Sequence, residues 1–416
     1  MRTFPSFFLL ILFSVTVLGT GCGRDSDGKP KGRVPSGNEQ SAPGSLNATE
    51  PATATEKSDI SFDETVVLFP TYAHLDEKGG TWTVPIHGRI FEPEGNSIRR
   101  RAMLESVAQT LGVEDGSAEA DMLRHRLGLF LVDNERGKEI FVRMGEKVYA
   151  VGTSDADGHF GEELRLSADE VEELLGEGSR DEKQRDGKDG DRRLLSYRVV
   201  VDEADERSFH GRVQVIGSEG YSVISDIDDT IKHSQVTDSK ALLTNTFLRN
   251  FESVAGMSEL YQQWAQKGVV FHYVSGSPWQ LYPPLSKFLA EEGFPDGSFD
   301  LKNFRLKDPS SLGLLGSQES HKLAAIEPIM TAFPRRRFIL VGDSGEQDPE
   351  IYATVARKYP EQVAAIFIRN VTTAKDDDAR FEAVCKGLGG ISFVLFEDAE
   401  TLGPAVEKIM GGHKSD

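Results

Sequence analysis

The run Ser222-Val223-Ile224-Ser225-Asp226-Ile227-Asp228-Asp229-Thr230 decides the fold of the larger part of the chain. It starts as a short apolar stretch and ends in acidic residues, which is typical of a buried strand that delivers side chains to the edge of a sheet. Four further apolar runs follow, with segments of helical periodicity between them, at 269–274, 338–341, 364–368 and 391–396. This alternation predicts an α/β domain at 218–412, with a parallel sheet covered by helices on both faces.

Polar side chains follow the ends of three of these runs. Because the carboxyl ends of parallel strands meet at one edge of a sheet, we expect these side chains to lie close together. A lysine at the start of the helix before the 338–341 run points to the same edge. The candidate site residues are Asp226, Asp228, Ser275, Gly276, Lys322, Asp343 and Asp348.

This combination of side chains suits phosphoryl transfer. The carboxylate of Asp226 can attack phosphorus to form an acyl phosphate, and Asp228 can protonate the leaving oxygen and then activate water. Lys322, the hydroxyl of Ser275 and backbone N–H groups near Gly276 can hold the phosphate oxygens. Crowded oxygen ligands without His or Cys indicate Mg²⁺ rather than zinc.

Four segments of this chain, 222–232, 275–282, 321–322 and 342–352, resemble the motifs of haloacid dehalogenase (HAD) superfamily phosphatases. The region at 218–371 is similar, more specifically, to the catalytic domain of actin-patch-associated phosphatidate phosphatases, distant relatives of lipins. The resemblance implies a HAD-like Rossmannoid sheet and hydrolysis of phosphatidate to diacylglycerol through a phospho-aspartyl intermediate.

The resemblance also implies individual roles. Asp226 would be the nucleophile, Asp228 the general acid/base, and Ser275 and Lys322 the phosphate-binding residues. The Mg²⁺ ligands would be Asp226, the backbone carbonyl of Asp228, and Asp343, and Asp348 would ligate the ion or orient a ligating water. Gly276 departs from the family pattern, in which Asn follows the serine.

The predicted substrate is a phospholipid at a membrane surface. About 44 residues separate Thr230 from Ser275, too few for a large capping domain, and an open site suits a phosphate carried by a bulky group. Arg369 and Lys232 could contact the headgroup, although a salt bridge is an equal alternative for Arg369. The aromatic residues Phe247, Phe251, Trp279 and Tyr282 could form a lip that meets the bilayer or could pack in the core.

Two alternative functions remain open. The same mechanism could act on another exported phosphorylated lipid, sugar or protein. The chain could instead be a surface-anchored binding or scaffold protein with a vestigial phosphatase domain. A net charge of −20 argues against a nucleic-acid partner, and the lack of a Gly-rich phosphate loop ending in Lys-Ser/Thr argues against a nucleotide cofactor. The sequence indicates no particular oligomeric state.

The amino-terminal part predicts export. Residues 1–21 combine one positive charge, a short apolar stretch and small residues before Cys22, as in a lipoprotein signal peptide. We expect lipidation at Cys22 and anchoring in the cell envelope. A soluble periplasmic or secreted product is the alternative, because Gly19 stands where Leu is usual. Residues 22–60 predict a disordered tether.

Between the tether and the α/β domain, short alternating apolar runs at 61–217 predict a smaller β-rich, sandwich-like domain. It contains one helix near 98–111 and an acidic loop insertion at 169–193. Of the two cysteines, Cys385 is predicted to be a small buried residue in a helix.

Overall fold

The computed structural model describes residues 51–53, 55–93, 98–182, 193–304, 318–372 and 377–411. The predicted signal peptide, Cys22 and most of the predicted tether lie outside these residues. The described chain contains two sheets, one before and one after residue 217. None of the described helices combines the length and the apolar character that crossing a membrane requires.

The amino-terminal sheet has nine strands. They are β1 (Thr65–Phe69), β2 (Thr71–Asp76), β3 (Thr81–Glu92), β4 (Asp133–Asn134), β5 (Glu139–Met144), β6 (Lys147–Thr153), β7 (His159–Ser167), β8 (Leu194–Val199) and β9 (His210–Val215). The order β1-β3-β2-β9-β8-β5-β6, with β4 and β7 also paired to β3, joins all nine in one curled sheet. The predicted β-rich domain is therefore present, whereas the sandwich-like arrangement is not confirmed.

Three helices interrupt this sheet: α1 (Ile98–Leu111), α2 (Ala118–Gly128) and α3 (Ala168–Glu182). The sequence predicted an exposed loop at the position of α3. The structure places a helix there because Ser167 and Glu170 form a reciprocal cap at its start, each accepting from the other's backbone N–H. Val171 on this helix is buried against the curled sheet, and residues 183–192 of the predicted insertion lie outside the described residues.

The second sheet has six parallel strands: β10 (Tyr221–Ser225), β11 (Val270–Pro278), β12 (Gly297–Lys302), β13 (Arg337–Asp343), β14 (Val363–Arg369) and β15 (Ser392–Phe396). Their order is β12-β11-β10-β13-β14-β15. This is the 3-2-1-4-5-6 order of doubly wound folds, in which ligands bind where the strand order reverses. Here the reversal lies between β10 and β13, the strands that precede Asp226 and end at Asp343.

Within the described part of this region, the α-helices that accompany the parallel sheet are α4 (Ser239–Phe247), α5 (Met257–Gln266), α6 (Tyr282–Glu291), α7 (Gln318–Ala332), α8 (Asp348–Lys358), α9 (Asp377–Cys385) and α10 (Leu402–Gly411). They pack in two apolar clusters that use alternate residues of the strands, such as Val223 in one and Ile224 in the other. The predicted α/β alternation is confirmed. Cys385 is exposed, contrary to expectation, because α9 turns Phe381 and Val384 inward instead.

The helix pair α1–α2 packs with the second sheet although it interrupts the first. Val107, Leu123 and Leu127 share an apolar cluster with Ile227 and Phe247 of the α/β part. The segment after α2 continues this contact, since the ring centroid of Phe130 lies 5.8 Å from that of Phe247. The sequence predicted α1 within the β-rich domain and did not predict α2, whereas the packing of both helices groups them with the site-bearing sheet.

Candidate active site

Asp226 lies at the carboxyl end of β10, at the point where the strand order reverses. Its backbone N–H donates to the carbonyl oxygen of Val341 (2.9 Å), which ties it to β13. The carboxylate is fully buried, and its Oδ2 accepts from the Thr230 hydroxyl (3.1 Å). Burial raises the pKa of Asp226 well above its ordinary value, and nearby acids add to that rise against the opposing pull of Lys322.

Lys322, on α7, is the cation that contacts Asp226. Its Nζ lies 2.9 Å from Asp226 Oδ1 and 3.3 Å from Glu346 Oε2, and it also contacts Asp348 Oδ1. Burial works to lower the lysine pKa, but the surrounding acids raise it well above its ordinary value. Lys322 therefore remains charged in a site from which water is largely excluded.

Three buried carboxylates, Asp226, Asp343 and Asp348, offer oxygen atoms that all lie within 4.8 Å of one another. Asp343 Oδ2 is buried and has no hydrogen-bond partner among the described residues. Burial raises the pKa of Asp343 well above its ordinary value, and the neighbouring acids raise it further. An unpartnered oxygen in an all-oxygen cluster fits a hard divalent cation such as Mg²⁺. Glu346, which the sequence analysis did not single out, adds a fourth acid.

The loop after β13 aims these acids. Asp343 Oδ1 accepts from the N–H groups of Gly345 (2.6 Å) and Glu346 (3.1 Å), whereas Oδ2 has no partner among the described residues. Gly342 has a steric reason to be glycine, because a Cβ there would lie 2.4 Å from Asp348 Oδ2. The Gly-Asp-Ser-Gly sequence thus lets α8 bring Asp348 close to the strand end.

Asp228 has a different environment from Asp226. Its Oδ1 lies 2.7 Å from Lys232 Nζ and accepts from the Ser234 hydroxyl (2.6 Å). Its Oδ2 accepts from the hydroxyls of Ser275 (3.2 Å) and Ser277 (2.8 Å). Burial pushes its pKa up, but Lys232 and the hydroxyl donors outweigh burial and lower the pKa to about 2.

Some partners of Asp228 were missed or misjudged from the sequence. Lys232 was considered a headgroup contact, but it is buried and ion-paired with Asp228. Its position four residues after Asp228 was an available signal. Ser234 and Ser277 were not predicted, and two serines flanking Gly276 were the signal for Ser277. Gly276 itself is half-buried between the two serine contacts.

The loop between Asp228 and Lys232 is held by Asp229. Its carboxylate accepts from the backbone N–H groups of Ser234, Gln235 and Val236 (2.6–2.9 Å), and its φ of 54° lies in the left-handed region that Asp tolerates. Arg369 Nη1 donates to the Asp229 carbonyl oxygen (2.7 Å). Arg369 therefore braces this loop, and its buried Nε has no partner among the described residues.

The four aromatic residues considered for an apolar lip are not exposed. Phe247, Trp279 and Tyr282 are at most 9% exposed, and Phe251 is partly buried against the same cluster. The rings of Phe69 and His87 lie 4.2 and 4.8 Å from Trp279, so the curled sheet covers that tryptophan. The core alternative is confirmed for these residues.

Comparison with known proteins places the similarity in the α/β region. Residues 221–370 match the family model described as the catalytic domain of phosphatidate phosphatase APP1. The chain is 38% identical over 162 residues to phosphatidate phosphatase APP1 of Saccharomyces cerevisiae, covering 38% of this chain and 27% of the yeast protein. It is 32% identical over 169 residues to an uncharacterised protein of Schizosaccharomyces pombe, covering 40% of this chain and 27% of that protein.

The chain thus spans about a quarter of the length of these curated relatives. Among solved structures, a class C acid phosphatase from Bacillus anthracis with tungstate bound is similar at 15% identity and a TM-score of 0.25, covering 47% of this chain and 80% of that one. A likeness that weak carries no argument about fold or function. By sequence, residues 221–370 of this chain are similar to the catalytic domain of phosphatidate phosphatase APP1.

Proposed function

We propose that the protein is a Mg²⁺-dependent phosphatase that hydrolyses phosphatidate to diacylglycerol and inorganic phosphate. The observation that carries this proposal is the buried carboxylate of Asp226, which has Lys322 on one side and an unpartnered Asp343 oxygen nearby. A nucleophile, a phosphate-binding cation and a place for a divalent ion thus share one strand edge. The HAD-like mechanism inferred from the sequence fits this arrangement.

In the first step, a carboxylate oxygen of Asp226 attacks phosphorus, and the bond from phosphorus to the leaving oxygen breaks. Asp228 gives its proton to that oxygen, so an alcohol leaves and an aspartyl phosphate remains. In the second step, Asp228 takes a proton from water, whose oxygen attacks phosphorus and releases inorganic phosphate. Asp226 then returns to its starting carboxylate.

In this structure the surroundings of Asp228 favour the second of these steps, in which it acts as a base. Its pKa of about 2 means that it is ionised at neutral pH and can accept a proton. A substrate phosphate close to Asp226 and Asp228 would raise the Asp228 pKa, because a nearby negative charge disfavours ionisation. The first step needs Asp228 in its protonated form, and substrate binding shifts the equilibrium in that direction.

The metal site would be formed by Asp226, Asp343 and Asp348, with the Asp228 backbone carbonyl as a further ligand. A bound Mg²⁺ would neutralise negative charge on the phosphate and on the crowded carboxylates. Lys322 and the Ser275 hydroxyl would hold the remaining phosphate oxygens. Ser275 already lies in the site through its contact with Asp228.

Phosphatidate is proposed as the substrate because the yeast relative carries that activity in its name and the site-bearing residues 221–370 match the family model of that catalytic domain. The main competing substrate class is another exported phosphorylated lipid, sugar or protein. The scaffold alternative is less well supported, because Asp226 contacts Lys322 and lies in one carboxylate cluster with Asp343, and Asp228 is held by an ion pair with Lys232.

The test is phosphate release from phosphatidate vesicles, with Mg²⁺ or with EDTA. We expect Mg²⁺-dependent release by the wild type and a loss on the order of 10³-fold or more in Asp226→Asn, which removes the nucleophile. Asp238→Asn, at the exposed cap of α4, is a matched control that should keep full activity. Equal rates for Asp226→Asn and wild type would reject the mechanism. Release from soluble phosphomonoesters alone would reject the substrate.

We further propose that lipidation at Cys22 anchors the protein in the cell envelope, where a phospholipid substrate is at hand. The support is the lipoprotein-like pattern that ends at Cys22. A palmitate analogue should label the wild type and not Cys22→Ser. Equal labelling of both would show that the cysteine is not the attachment point.

A further inference from the structure

Arg126 connects the helix pair α1–α2 to the segment that follows the nucleophile. It lies on α2 and is 6% exposed. Its Nη1 donates to the carbonyl oxygens of Thr246 and Arg249, each at 2.7 Å, at the end of α4. Burial lowers its pKa to about 10, so the guanidinium still carries its charge at neutral pH.

The same guanidinium contacts the ring of Phe251, with 3.8 Å between Arg126 Cζ and the ring centroid. Lys232 Nζ contacts that ring as well, at 4.8 Å. Backbone pairing fixes this neighbourhood, because His233 N donates to Glu252 O and Val254 N to Ile231 O, both at 2.9 Å. Two cations from distant parts of the chain therefore share one aromatic ring.

Of the three side chains Arg126, Phe251 and Lys232, Lys232 is the one that contacts the active site. It is 1% exposed, and its Nζ lies 2.7 Å from Asp228 Oδ1. A lysine ammonium on a flexible stem has no fixed direction of its own, so its packing decides where the charge sits. Here the Phe251 ring and the Asp228 carboxylate fix that position.

We propose that Arg126, Phe251 and Lys232 are positioning residues that hold the Asp228 carboxylate in line for proton transfer, so that the helix pair α1–α2 is a working part of the active site. This inference rests on the proposed function, since it assigns partners to the proton-transferring group of that reaction. Arg126 lies outside the segment that matches the family model, residues 221–370. The catalytic role of Asp228 would therefore depend on a residue that the matched segment lacks.

The experiment compares two substrates that differ in their need for an acid. An alkyl phosphate, such as phosphatidate or glycerol 3-phosphate, releases an alkoxide that must be protonated, whereas p-nitrophenyl phosphate releases a stable phenolate. The variants are Arg126→Gln and Phe251→Leu. We expect kcat/KM on the alkyl phosphate to fall on the order of tenfold, part of the contribution that general acid catalysis makes, and kcat/KM on p-nitrophenyl phosphate by less than about twofold. The comparison uses kcat/KM because it covers only the steps up to release of the leaving group, whereas kcat also includes the second step, in which Asp228 acts as a base for both substrates.

The ratio of the two rates is measured on one preparation. Unfolded protein lowers both rates by the same factor, so the ratio stays interpretable even when a variant is only partly folded. Arg126→Lys, which keeps the charge, should recover part of the alkyl phosphate rate. Arg124→Gln is the matched control, because Arg124 is on the same helix but pairs at the surface with Asp115 and Asp121. It should leave both rates unchanged.

Equal losses on both substrates in Arg126→Gln and Phe251→Leu would overturn the proposal and leave these residues a purely structural role. A wild type that hydrolyses glycerol 3-phosphate but not phosphatidate would overturn the proposed substrate and leave this inference intact. A wild type that releases no phosphate from any of the three would overturn the proposed function and this inference with it.

Discussion

Asp226 and Asp228 are two residues apart, and their surroundings are opposite. Asp226 lies among other acids with one lysine, Lys322, and burial raises its pKa. Asp228 pairs with its own lysine, Lys232, and accepts from three hydroxyls, so its pKa falls to about 2. We call these surroundings the acid-rich half and the hydroxyl-rich half of the site. In the acid-rich half one lysine faces four acids, so negative charge is in excess, whereas in the hydroxyl-rich half the charges of Asp228 and Lys232 balance.

This difference shows how one short loop can carry two aspartates with different chemical roles. Identical side chains acquire different roles when their environments push their pKa values apart. On the proposed function, the acid-rich half binds a divalent ion and the hydroxyl-rich half transfers protons. Each half should therefore respond differently to mutation, Mg²⁺ and pH.

The largest expected effect is on the acid-rich half. Lys322→Met should lower the free energy of unfolding by about 3–5 kcal/mol in EDTA, because three acids lose their buried partner. Saturating Mg²⁺ should recover part of this loss. Urea unfolding in EDTA and in Mg²⁺ measures both. Lys358→Met, which removes an exposed pair with Glu327, is the control and should change little. A loss that Mg²⁺ does not reduce would contradict the proposed cation site.

The hydroxyl-rich half should be less sensitive to the metal. Asp228→Asn leaves the buried Lys232 without its ion-pair partner and should cost about 3 kcal/mol of unfolding free energy. The cost should be nearly the same in EDTA and in Mg²⁺, because no other acid was found within ion-pairing distance of Lys232 among the described residues. Urea unfolding again provides the measurement. A cost that disappears in Mg²⁺ would mean that the two halves are not separate.

The pH dependence should have opposite signs in the two halves. The Asp228 pKa falls from 3.8 to about 2, so its contribution is present above pH 4 and is lost as pH falls through 2. The difference in unfolding free energy between wild type and Asp228→Asn should therefore shrink by about 2 kcal/mol over that interval. Acid titrations followed by urea unfolding at each pH would measure it, and a constant difference would contradict the assignment.

Asp226 and Asp343 have raised pKa values, so the folded state binds more protons than the unfolded chain. Their contribution to stability is present at low pH and decreases as pH rises above the ordinary aspartate pKa. This is the smallest effect and is best seen by removing one acid. Asp343→Asn should raise the free energy of unfolding in EDTA by about 1 kcal/mol at neutral pH, because one like charge is removed. Its gain on adding Mg²⁺ should be smaller than that of wild type, and an unchanged gain would exclude Asp343 as a ligand.

The gathering of the candidate site could be predicted because it follows from local signals. An apolar run that ends in Asp226 and another that ends in Asp343 identify two strand ends, and the parallel topology brings them together. The separate surroundings of Asp226 and Asp228 could not be predicted in the same way. They depend on which side chains reach each carboxylate, and Ser277 and Lys232 show this only once the loops are in place.

Other features escaped sequence reasoning for a similar reason. Strand β12 was not predicted. Its sequence, Gly-Ser-Phe-Asp-Leu-Lys, alternates polar and apolar residues, whereas the strands of the parallel sheet were identified as continuous apolar runs. The helix α1 was predicted at its correct position, but its partner could not be. Periodicity indicates that a helix has an apolar face without indicating which sheet covers that face. The assignment of α1–α2 needed three-dimensional contacts.

The helix pair also sets an order of events during synthesis. Phe130, just after α2, packs against Phe247 and Phe304, which are translated more than 100 residues later. Translation proceeds at about 5–20 residues per second. The apolar faces of α1 and α2 therefore stay uncovered for on the order of ten seconds, until the surface that packs against them has been synthesised. The curled sheet can close in that time, but the helices that interrupt it cannot dock. Synthesis of the segment that includes Phe247 and Phe304 is therefore the point at which the apolar faces of α1 and α2 can become covered and protected from aggregation.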